Sequence, residues 1–312
     1  MAKVLIPQDI VQEGKDYLKK HGHEVVIGSA FDIETIKREV ADADALLVRT
    51  ASYPAEVLEA GKKLKVISRH GVGVDNIDVK KATELGIRVT YTPEANASTV
   101  SELALGFLIA LARKIVVCDK ATRSNNFNVR NTLPITDLSG KTLSIIGFGR
   151  IGKLVARKAM HGLDMNIVVY DPYVKAVPEG INLVKDLKDA LKVADFISLH
   201  LPSTEETRNL INSKTIKLMK KSVNIVNCAR GDLVNESEIT TALREGQIAG
   251  LATDVFAQEP PPKDHPFFDL ENVILTPHNA SLTYECMVRM AVQAAEGIVD
   301  VLSGKEPTWA LN

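Results

Sequence analysis

The feature that most constrains the fold is a regular alternation of short β-rich runs with longer stretches of helical spacing. In the first part of the chain the β-rich runs begin at residues 3, 24, 45, 65 and 88, with the sequences KVLIP, EVVIG, ALLVRT, KVISRH and RVTYTP. Strands that alternate with helices form βαβ units, in which the strands are parallel and helices cover both faces of the sheet. This part of the chain therefore predicts one doubly wound α/β domain.

A second string of the same kind follows. Its β-rich runs are KTLSIIGFG, NIVVYD, DFISLHLP, VNIVNCARG, IAGLATDVF and VILTPH, which begin at residues 141, 166, 195, 223, 248 and 273. We expect helices between them at 151–161, 186–193, 213–220 and 236–246. Six strands in this alternation suit a complete dinucleotide-binding sheet rather than half of one.

Two long helical segments set the predicted domain boundaries. Residues 96–114 carry a capping-box pattern, Thr99 followed by Glu102, and then an apolar run that predicts a buried helix joining the domains. Residues 283–302 have apolar side chains at helical spacing, which predicts a helix that returns to the first domain. We therefore predict one domain from 1–98 and 283–312, and an inserted domain from 99–282.

Charge and composition exclude several classes of partner. The 38 basic and 39 acidic residues give a formal net charge of -1 with no long basic run, which argues against a nucleic-acid or an anionic membrane surface. The three cysteines are far apart, and there is no HExxH motif, so neither a disulfide framework nor a metal site is predicted. The apolar runs at the N-terminus and at 103–112 are too short for a signal peptide or a membrane span, so we expect a cytoplasmic protein.

A glycine pattern marks the predicted cofactor site. Gly147, Gly149 and Gly152 form GxGxxG between an apolar strand and a helix, where backbone amides at the helix N-terminus can hold a pyrophosphate. The next β-rich run ends in Asp171, at the spacing of an acidic residue that accepts hydrogen bonds from a ribose. A carboxylate repels a 2′-phosphate and no arginine adjoins it, so NAD is predicted rather than NADP.

Polar residues gather where predicted strands end, which is where open α/β sheets bind ligands. Arg230 suits a substrate carboxylate or a structural ion pair. Glu259 and His278 follow neighbouring strands, and a carboxylate beside an imidazole raises its pKa, as acid/base chemistry near neutral pH requires. A single histidine is more often structural than catalytic. The other polar residues at strand ends are Arg49, Arg69, His200 and Asp254, of which His200 is expected to line the cofactor pocket.

Taken together, the motifs resemble the D-isomer-specific 2-hydroxyacid dehydrogenase family over essentially the whole chain. They are GVGVDNID, IIGFGRIG, HLPSTEETR, NCARGDLVNESEI, ATDVFAQEP and LTPHNAS, in the family's order. LLVRTAS and RHGVGVDNID resemble the phosphoglycerate dehydrogenase branch most. The resemblance implies a Rossmann NAD-binding domain inserted into a flavodoxin-like substrate-binding domain, a homodimer, and a small 2-hydroxy or 2-oxo acid that reacts in an interdomain cleft.

The resemblance also implies roles for individual residues. His278 is the implied acid/base, Glu259 the partner that adjusts its pKa, and Arg230 the group that binds the carboxylate and polarises the carbonyl. The implied substrate-binding residues are Arg49, Ser52, Arg69, Val72, Gly73, Arg230 and His278. For a substrate phosphate the candidates are Arg49, Arg69 and Arg130, with surface or structural ion pairing as their alternative role. The implied NAD-binding residues are Thr99, Gly147, Gly149, Arg150, Ile151, Gly152, Asp171, Pro172, His200, Leu201, Pro202, Thr207, Cys228, Ala229, Arg230, Asp254, His278 and Ala280.

Two positions depart from the family pattern. Ala280 stands where a glycine is usual, close to the expected nicotinamide, and Asn235 stands where an acid is common, although asparagine can still cap a helix.

The substrate and the class of function stay open. 3-Phosphoglycerate is the best candidate, with glyoxylate, hydroxypyruvate, lactate or a sulfonated analogue as alternatives. The related formate enzymes pair their histidine with glutamine, so Glu259 disfavours them. An NAD(H)-sensing regulator is the alternative of another class, and a SAM-dependent methyltransferase is opposed by the six-strand string and by the three catalytic candidates.

Overall fold

Two parallel sheets organise the chain, one in each of two units. The computed structural model describes residues 1–312. The first unit comprises Met1–Ala97 and Ser281–Asn312, and the second comprises Ser98–Ala280. No helix is long and apolar enough to cross a bilayer.

The first unit is built on a five-stranded sheet with the order β2-β1-β3-β4-β5, in which every pair is parallel. Its strands are β1 (Lys3–Ile6), β2 (Glu24–Ile27), β3 (Ala45–Val48), β4 (Val66–Arg69) and β5 (Arg88–Thr90). Its helices are α1 (Gln12–Lys20), α2 (Ile33–Val40), α3 (Ala55–Ala60), α4 (Val79–Glu84) and the C-terminal α12 (Tyr284–Leu302). The runs predicted as strands here all form strands.

Helix α12 covers one face of this sheet because its small residues allow close packing. Ala291, Ala294, Ala295 and Ile298 are fully buried against apolar side chains of β1, β3 and β4. On the same face, a Cβ added to Gly14 of α1 would lie 2.8 Å from the Cβ of Ala291, so glycine brings these two helices together. The C-terminal residues are thereby part of the first unit's core.

The second unit is built on a seven-stranded parallel sheet with the order β12-β11-β10-β9-β6-β7-β8. Its strands are β6 (Thr142–Ile146), β7 (Asn166–Tyr170), β8 (Ile181–Val184), β9 (Phe196–Leu199), β10 (Asn224–Asn227), β11 (Gly250–Thr253) and β12 (Val273–Leu275). Its helices are α5 (Ala97–Arg113), α6 (Ile115–Arg123), α7 (Val129–Thr132), α8 (Arg150–Leu163), α9 (Leu187–Val193), α10 (Ser213–Ile216) and α11 (Glu236–Arg244). The strand order reverses between β6 and β9, which is the switch point where such sheets bind ligands.

Three details differ from the sequence predictions. The sheet has seven strands rather than six, because Ile181–Val184 pairs with β7 as an edge strand whose partly exposed side chains give no clear apolar pattern. The capping box predicted at Thr99 and Glu102 is wrong, since α5 begins at Ala97 and Thr99 lies within its first turn. Helix α10 ends at Ile216, short of the predicted residue 220.

Glycines make the turn between β6 and α8 possible. Gly147 has φ of +96°, and a Cβ there would lie 2.7 Å from the carbonyl oxygen of His200. Gly152, one turn into α8, lies so close to the strand that a Cβ would be 2.2 Å from the carbonyl oxygen of Gly147. Gly149 caps the helix and has open space where its Cβ would be.

We expect Gly152→Ala to destabilise the second unit and to weaken NADH binding, because the added methyl displaces the Gly147 carbonyl and distorts the turn. Overpacking of this kind costs about 1–3 kcal/mol. Gly162→Ala in the same helix is the matched control: its Cβ meets nothing within 4 Å, so alanine leaves stability unchanged or raises it by about 0.5–1 kcal/mol. Urea denaturation and NADH fluorescence titration measure both effects, and equal behaviour of the two variants would contradict this account.

Candidate active site

His278 and Glu259 form a hydrogen-bonded pair. The Nδ1 atom of His278 lies 2.6 Å from Oε2 of Glu259. The His278 side chain is 51% exposed and that of Glu259 is 35% exposed, so the pair faces outward from the sheet. The other oxygen of Glu259 accepts the backbone N–H of Phe256 at 3.0 Å, which fixes the carboxylate from both sides.

Asp254, which is fully buried, holds the turn that presents His278. Its carboxylate accepts the hydroxyl of Thr276 and the backbone N–H groups of Asn279 and Ala280, the latter two at 2.9 Å. Its carbonyl oxygen accepts the N–H of His278 at 2.8 Å. These contacts maintain His278 in the left-handed backbone region, with φ of 51°. The contacts of the Asp254 carboxylate are thus with this turn, and its contact with the nicotinamide stays a prediction.

The alanine at position 280 fits the turn without strain. Its methyl group is buried in the core of the second unit, and its N–H is bonded to Asp254. The departure from the usual glycine therefore keeps the turn, and the added methyl group packs into the core of the second unit. Asn235 fills the other departure as an N-cap, since its side chain accepts the N–H of Glu238 at the start of α11.

The pair shifts both proton affinities in opposite directions. The hydrogen bond to Glu259 raises the pKa of His278 against the opposing effect of burial, and the negative charges of Glu259 and Asp254 add to the increase. Burial by itself would raise the pKa of Glu259, but the hydrogen bonds from His278 and Phe256 and the charges of His278 and Arg230 hold it below its ordinary value. The pair therefore favours an imidazolium beside a carboxylate.

Arg230 lies close enough to His278 and Glu259 for its charge to affect both. It follows β10, where Asn227 accepts the N–H of Ala229 at 3.0 Å and donates to the carbonyl of Arg230 at 2.8 Å. One guanidinium nitrogen, Nη1, donates to the carbonyl of Ala229 at 2.8 Å. Its positive charge lowers the pKa of both His278 and Glu259. The predicted triad is thus assembled within one unit.

Asn227 was not anticipated from the sequence. In the sequence Asn227 is the last residue of a β-rich run, but in the structure its buried side chain shapes the turn that carries Arg230. An asparagine at the end of a buried strand, directly before a Cys-Ala-Arg-Gly turn, is the signal that points to this role. The neighbouring Cys228 is buried among apolar side chains, and burial raises the pKa of its thiol, so it stays protonated.

The glycine turn has the geometry that a pyrophosphate requires. Gly149 leaves open space at the N-terminus of α8, and the neighbouring glycines bring the backbone close to the strand ends. The carboxylate of Asp171 accepts the N–H of Phe148 at 2.8 Å and that of Tyr173 at 2.9 Å, so it braces the turn that precedes the helix. Backbone amides at a helix N-terminus and open space beside them fit the phosphates of a dinucleotide.

A comparison of the sequence with protein families matches residues 105–280 to the NAD-binding domain of the D-isomer-specific 2-hydroxyacid dehydrogenases. The chain belongs to this family. It is 42% identical to a D-3-phosphoglycerate dehydrogenase of Methanocaldococcus jannaschii, with 98% of this chain and 58% of that protein aligned. It is 38% identical to a glyoxylate reductase of Thermofilum pendens, with 99% of this chain and 94% of the reductase aligned.

Solved structures agree with the family assignment. A crystal structure of a Thermus thermophilus protein superposes with a TM-score of 0.93 at 35% identity and covers 99% of this chain and 100% of its own. A D-lactate dehydrogenase of Escherichia coli superposes with a TM-score of 0.86 at 29% identity, with 99% of this chain and 100% of that chain covered. The chain spans 56–59% of the length of the first phosphoglycerate dehydrogenases that it matches.

The remaining residues expected to bind NAD in this dehydrogenase fold lie around the glycine turn and the end of β9. Nε2 of His200 is 2.8 Å from the hydroxyl of Ser198, and burial lowers the pKa of His200 to about 4, so the ring is neutral. Thr207 donates to the carbonyl of Pro202 at 2.7 Å and closes the loop that begins with His200, Leu201 and Pro202. Thr99 is buried in α5, Ile151 and Leu201 are partly buried, and Arg150 and Pro172 are exposed.

The first unit of this family member contains the predicted substrate-binding residues Arg49, Ser52, Arg69, Val72 and Gly73. Arg69 donates from Nε to the carbonyl of Gly73 at 2.9 Å and from Nη1 to that of His70, so it braces the loop that carries Val72. Nη1 of Arg49 donates to the carbonyl of Asp9 at 3.0 Å. Ser52 is exposed, whereas Val72 and Gly73 are partly buried. Arg130 belongs to the second unit and stacks over the ring of Phe127 at 4.8 Å.

The opposite pKa shifts of His278 and Glu259 define the pH range in which the pair stabilises the fold. The His278 contribution is fully present below its unfolded pKa of about 6.5 and is lost as the pH rises through its raised folded value. The Glu259 contribution is present above its unfolded pKa of about 4.3 and is lost as the pH falls through its lowered folded value. Both contributions are therefore present between about pH 4.3 and 6.5.

We expect the imidazole of His278 to titrate above about 6.5, because the adjacent carboxylate stabilises its protonated form. Glu259→Gln removes that charge, lowers the His278 pKa and removes the pH-dependent stabilisation that the pair gives to the fold. Proton NMR titration of the histidine ring signals measures the shift, with His278→Asn used to assign the resonance. Glu205→Gln, an exposed glutamate in the same unit, is the control and leaves the His278 titration in place.

Proposed function

We propose that the chain is an NAD-dependent dehydrogenase that transfers a hydride between NAD(H) and C2 of a small D-2-hydroxy acid. The observation that carries the proposal is the 2.6 Å contact between His278 and Glu259. Arg230 follows the neighbouring strand and acts on the pKa of both. A base with a raised pKa, its orienting carboxylate and a carboxylate-binding guanidinium are the groups that this chemistry needs.

His278 exchanges the proton of the reacting oxygen. Because Nδ1 is bonded to Glu259, Nε2 is the ring nitrogen that faces the substrate. In oxidation Nε2 accepts the hydroxyl proton, and Glu259 stabilises the imidazolium that forms. In reduction the imidazolium returns this proton to the carbonyl oxygen. The raised pKa of His278 keeps both protonation states accessible near neutral pH.

Arg230 binds the substrate carboxylate and polarises the reacting carbonyl. Its planar guanidinium is suited to a carboxylate, and the turn formed with Asn227 and Ala229 limits its motion. The N–H groups of Val72 and Gly73 are the proposed second set of donors to the carboxylate. Their loop is braced by Arg69, which prepares the donors before substrate arrives.

The glycine turn holds the NAD pyrophosphate, and Asp171 faces the adenosine ribose. When bound, NAD accepts the hydride in oxidation and NADH supplies it in reduction. The carboxylate of Asp171 disfavours a 2′-phosphate by charge repulsion, which favours NAD over NADP. Cys228 and Ala280 lie near the nicotinamide in this proposal, and Thr99, Thr207 and His200 line the cofactor site, where partly buried His200 contributes a neutral ring.

The best substrate candidate is the pair 3-phosphoglycerate and 3-phosphohydroxypyruvate. Several relatives at 36–42% identity over nearly the whole chain are named D-3-phosphoglycerate dehydrogenases. Arg49 and Arg130 are the candidates for the phosphate. A glyoxylate or hydroxypyruvate reductase is the second candidate, and a specific observation favours it: Arg69 makes two hydrogen bonds to loop carbonyls, which ties its guanidinium to a structural task.

The proposed assembly is a homodimer through helices α6 and α7. Helix α6 has no buried residue, and Ile115, Val116, Phe127 and Ile135 expose from 48% to 64% of their surface. Large apolar side chains concentrated in one segment indicate a surface that a second copy covers.

All three cysteines are free, which suits the reducing cytoplasm proposed as the location of the protein.

His278→Ala is expected to lower kcat by about 10²–10⁴-fold, because the reacting oxygen loses its proton acceptor. NADH affinity is retained, since the glycine turn is untouched. The measurement is NADH consumption with a panel of 2-oxo acids: 3-phosphohydroxypyruvate, hydroxypyruvate, glyoxylate and pyruvate. His161→Ala, at an exposed histidine of α8, is the control and keeps full activity.

The same panel separates the candidate functions. The highest kcat/KM with 3-phosphohydroxypyruvate supports the phosphoglycerate assignment, and the highest value with glyoxylate or hydroxypyruvate supports the second candidate. Tight NADH binding without turnover of any acid contradicts the enzyme and favours an NAD(H)-sensing regulator. Unchanged turnover in His278→Ala removes the proposed role of this residue.

Charged residues in the α6–α7 segment should separate the subunits. We expect Val116→Asp combined with Phe127→Asp to convert the dimer to a monomer, because two carboxylates would have to be buried without partners. Size-exclusion chromatography with light scattering measures the mass in solution. Phe31→Asp replaces another exposed phenylalanine, in the first unit, and leaves the dimer intact. A monomeric parent protein would refute the proposed assembly.

A further inference from the structure

A second histidine–glutamate pair lies next to the loop that carries Glu259. His265 is 5% exposed, and its Nε2 atom is 3.2 Å from Oε2 of Glu236, the first residue of α11. Glu236 is partly buried as well. Unlike the first pair, this one does not face outward, so it has no direct access to a substrate. Its importance lies in the backbone segment that Glu236 holds in place.

The hydrogen bonds of His265 define its protonation pattern. Nδ1 accepts the backbone N–H of Phe267 at 3.3 Å and therefore carries no proton. The ring N–H is then at Nε2, which donates to Glu236. Three aromatic rings surround the imidazole, those of Phe256, Phe267 and Phe268, with centroids at 5.4, 4.7 and 5.6 Å. The ring is thus fixed in orientation by both hydrogen bonds and packing.

The other oxygen of Glu236 holds the backbone next to Glu259. Oε1 of Glu236 accepts the N–H of Ala257 at 2.9 Å. The preceding N–H, that of Phe256, is donated to Oε1 of Glu259 at 3.0 Å. Two successive amides therefore bind the two glutamates, and a displacement of the Phe256–Ala257 peptide moves Glu259 as well.

The same peptide also lies against the Arg230 turn. A Cβ added to Gly231 would be 1.9 Å from the carbonyl carbon of Phe256 and 2.3 Å from the nitrogen of Ala257. Only a glycine permits this approach. The Phe256–Ala257 peptide is thus in contact with the residue after Arg230 and directly follows the Phe256 N–H that is bonded to Glu259, so its position sets the spacing between Arg230 and Glu259.

We propose that Glu236 and His265 are positioning residues, which fix the Phe256–Ala257 peptide and thereby align Glu259 with His278 and Arg230. This inference rests on the proposed acid/base role of His278. Neither residue touches the substrate. The buried pair limits the motion of a loop that would otherwise place Oε2 of Glu259 at varying distances from Nδ1 of His278, and a misplacement of about 1 Å is enough to reduce a rate a hundredfold.

Graded substitutions of Glu236 test the proposal. Glu236→Gln offers one acceptor where two donors approach, so it keeps one of the contacts and loses the other. Glu236→Ala loses both. His265→Phe preserves aromatic packing and removes the hydrogen bond to Glu236. The matched control is Glu238→Gln in the same first turn of α11, because Glu238 accepts the N–H of Ser213 and contacts neither histidine–glutamate pair.

We expect the His278 pKa, measured by NMR, to fall towards about 6.5 in the order parent, Glu236→Gln, Glu236→Ala, because Glu259 no longer stays within hydrogen-bond distance. His265→Phe lowers it in the same direction, and Glu238→Gln leaves it unchanged. In assays of 2-oxo acid reduction kcat falls by about tenfold to a hundredfold. The alkaline limb of the kcat/KM profile, where the imidazolium loses its proton, moves to lower pH, and NADH affinity is retained.

Folded variants whose His278 pKa and pH profile match those of the parent would overturn the proposal. The NMR measurement needs no substrate, so it stands apart from the proposed function. If the parent turns over no 2-oxo acid while the pKa falls as expected, the positioning role holds and the enzymatic role fails. If the parent is active and the pKa of His278 is insensitive to Glu236 and His265, the positioning role fails by itself.

Discussion

A single buried carboxylate, that of Asp254, determines where the second sheet presents its reactive side chain. Its backbone links two neighbouring strand ends, through its N–H to Asn227 and its carbonyl to His278. Its side chain accepts three further donors from residues 276–280. A buried carboxylate is costly unless it is fully hydrogen-bonded. Satisfying Asp254 therefore requires the turn after β12 to take one conformation, and the position of His278 follows from it.

Parallel strands explain how residues far apart in sequence reach one edge. β10, β11 and β12 run side by side in register, so the residues after Asn227, Thr253 and Leu275 emerge together. Arg230, Glu259 and His278 all lie in these connections. The fold thereby brings three charged or titratable groups to one edge of the sheet, with one group after each strand. The side chains within the strands are apolar or are polar and hydrogen-bonded.

Much of this was predictable from sequence because strong local patterns carry it. β-branched runs bounded by polar turns gave all five strands of the first sheet and six of the second, and the glycine spacing identified the turn before α8. The edge strand Ile181–Val184 was missed because one neighbour and partial exposure leave no periodic signal. The pairing of Glu259 with His278 was anticipated from adjacent strand ends. The structural task of Arg69 was not, since nothing in a sequence shows which carbonyl a guanidinium will find.

The left-handed backbone at His278 separates the position of the imidazole ring from its proton affinity, two properties that usually change together. The conformation costs about 1–2 kcal/mol for a residue with a Cβ, and the bonds to Asp254 offset it. The location of the ring is consequently stored in the main chain, whereas its affinity for a proton is set by Glu259 from a different strand connection. Glu259 contributes most to the raised proton affinity and Asp254 contributes less, so a substitution at 259 changes the basicity of the ring while the turn keeps the ring in place.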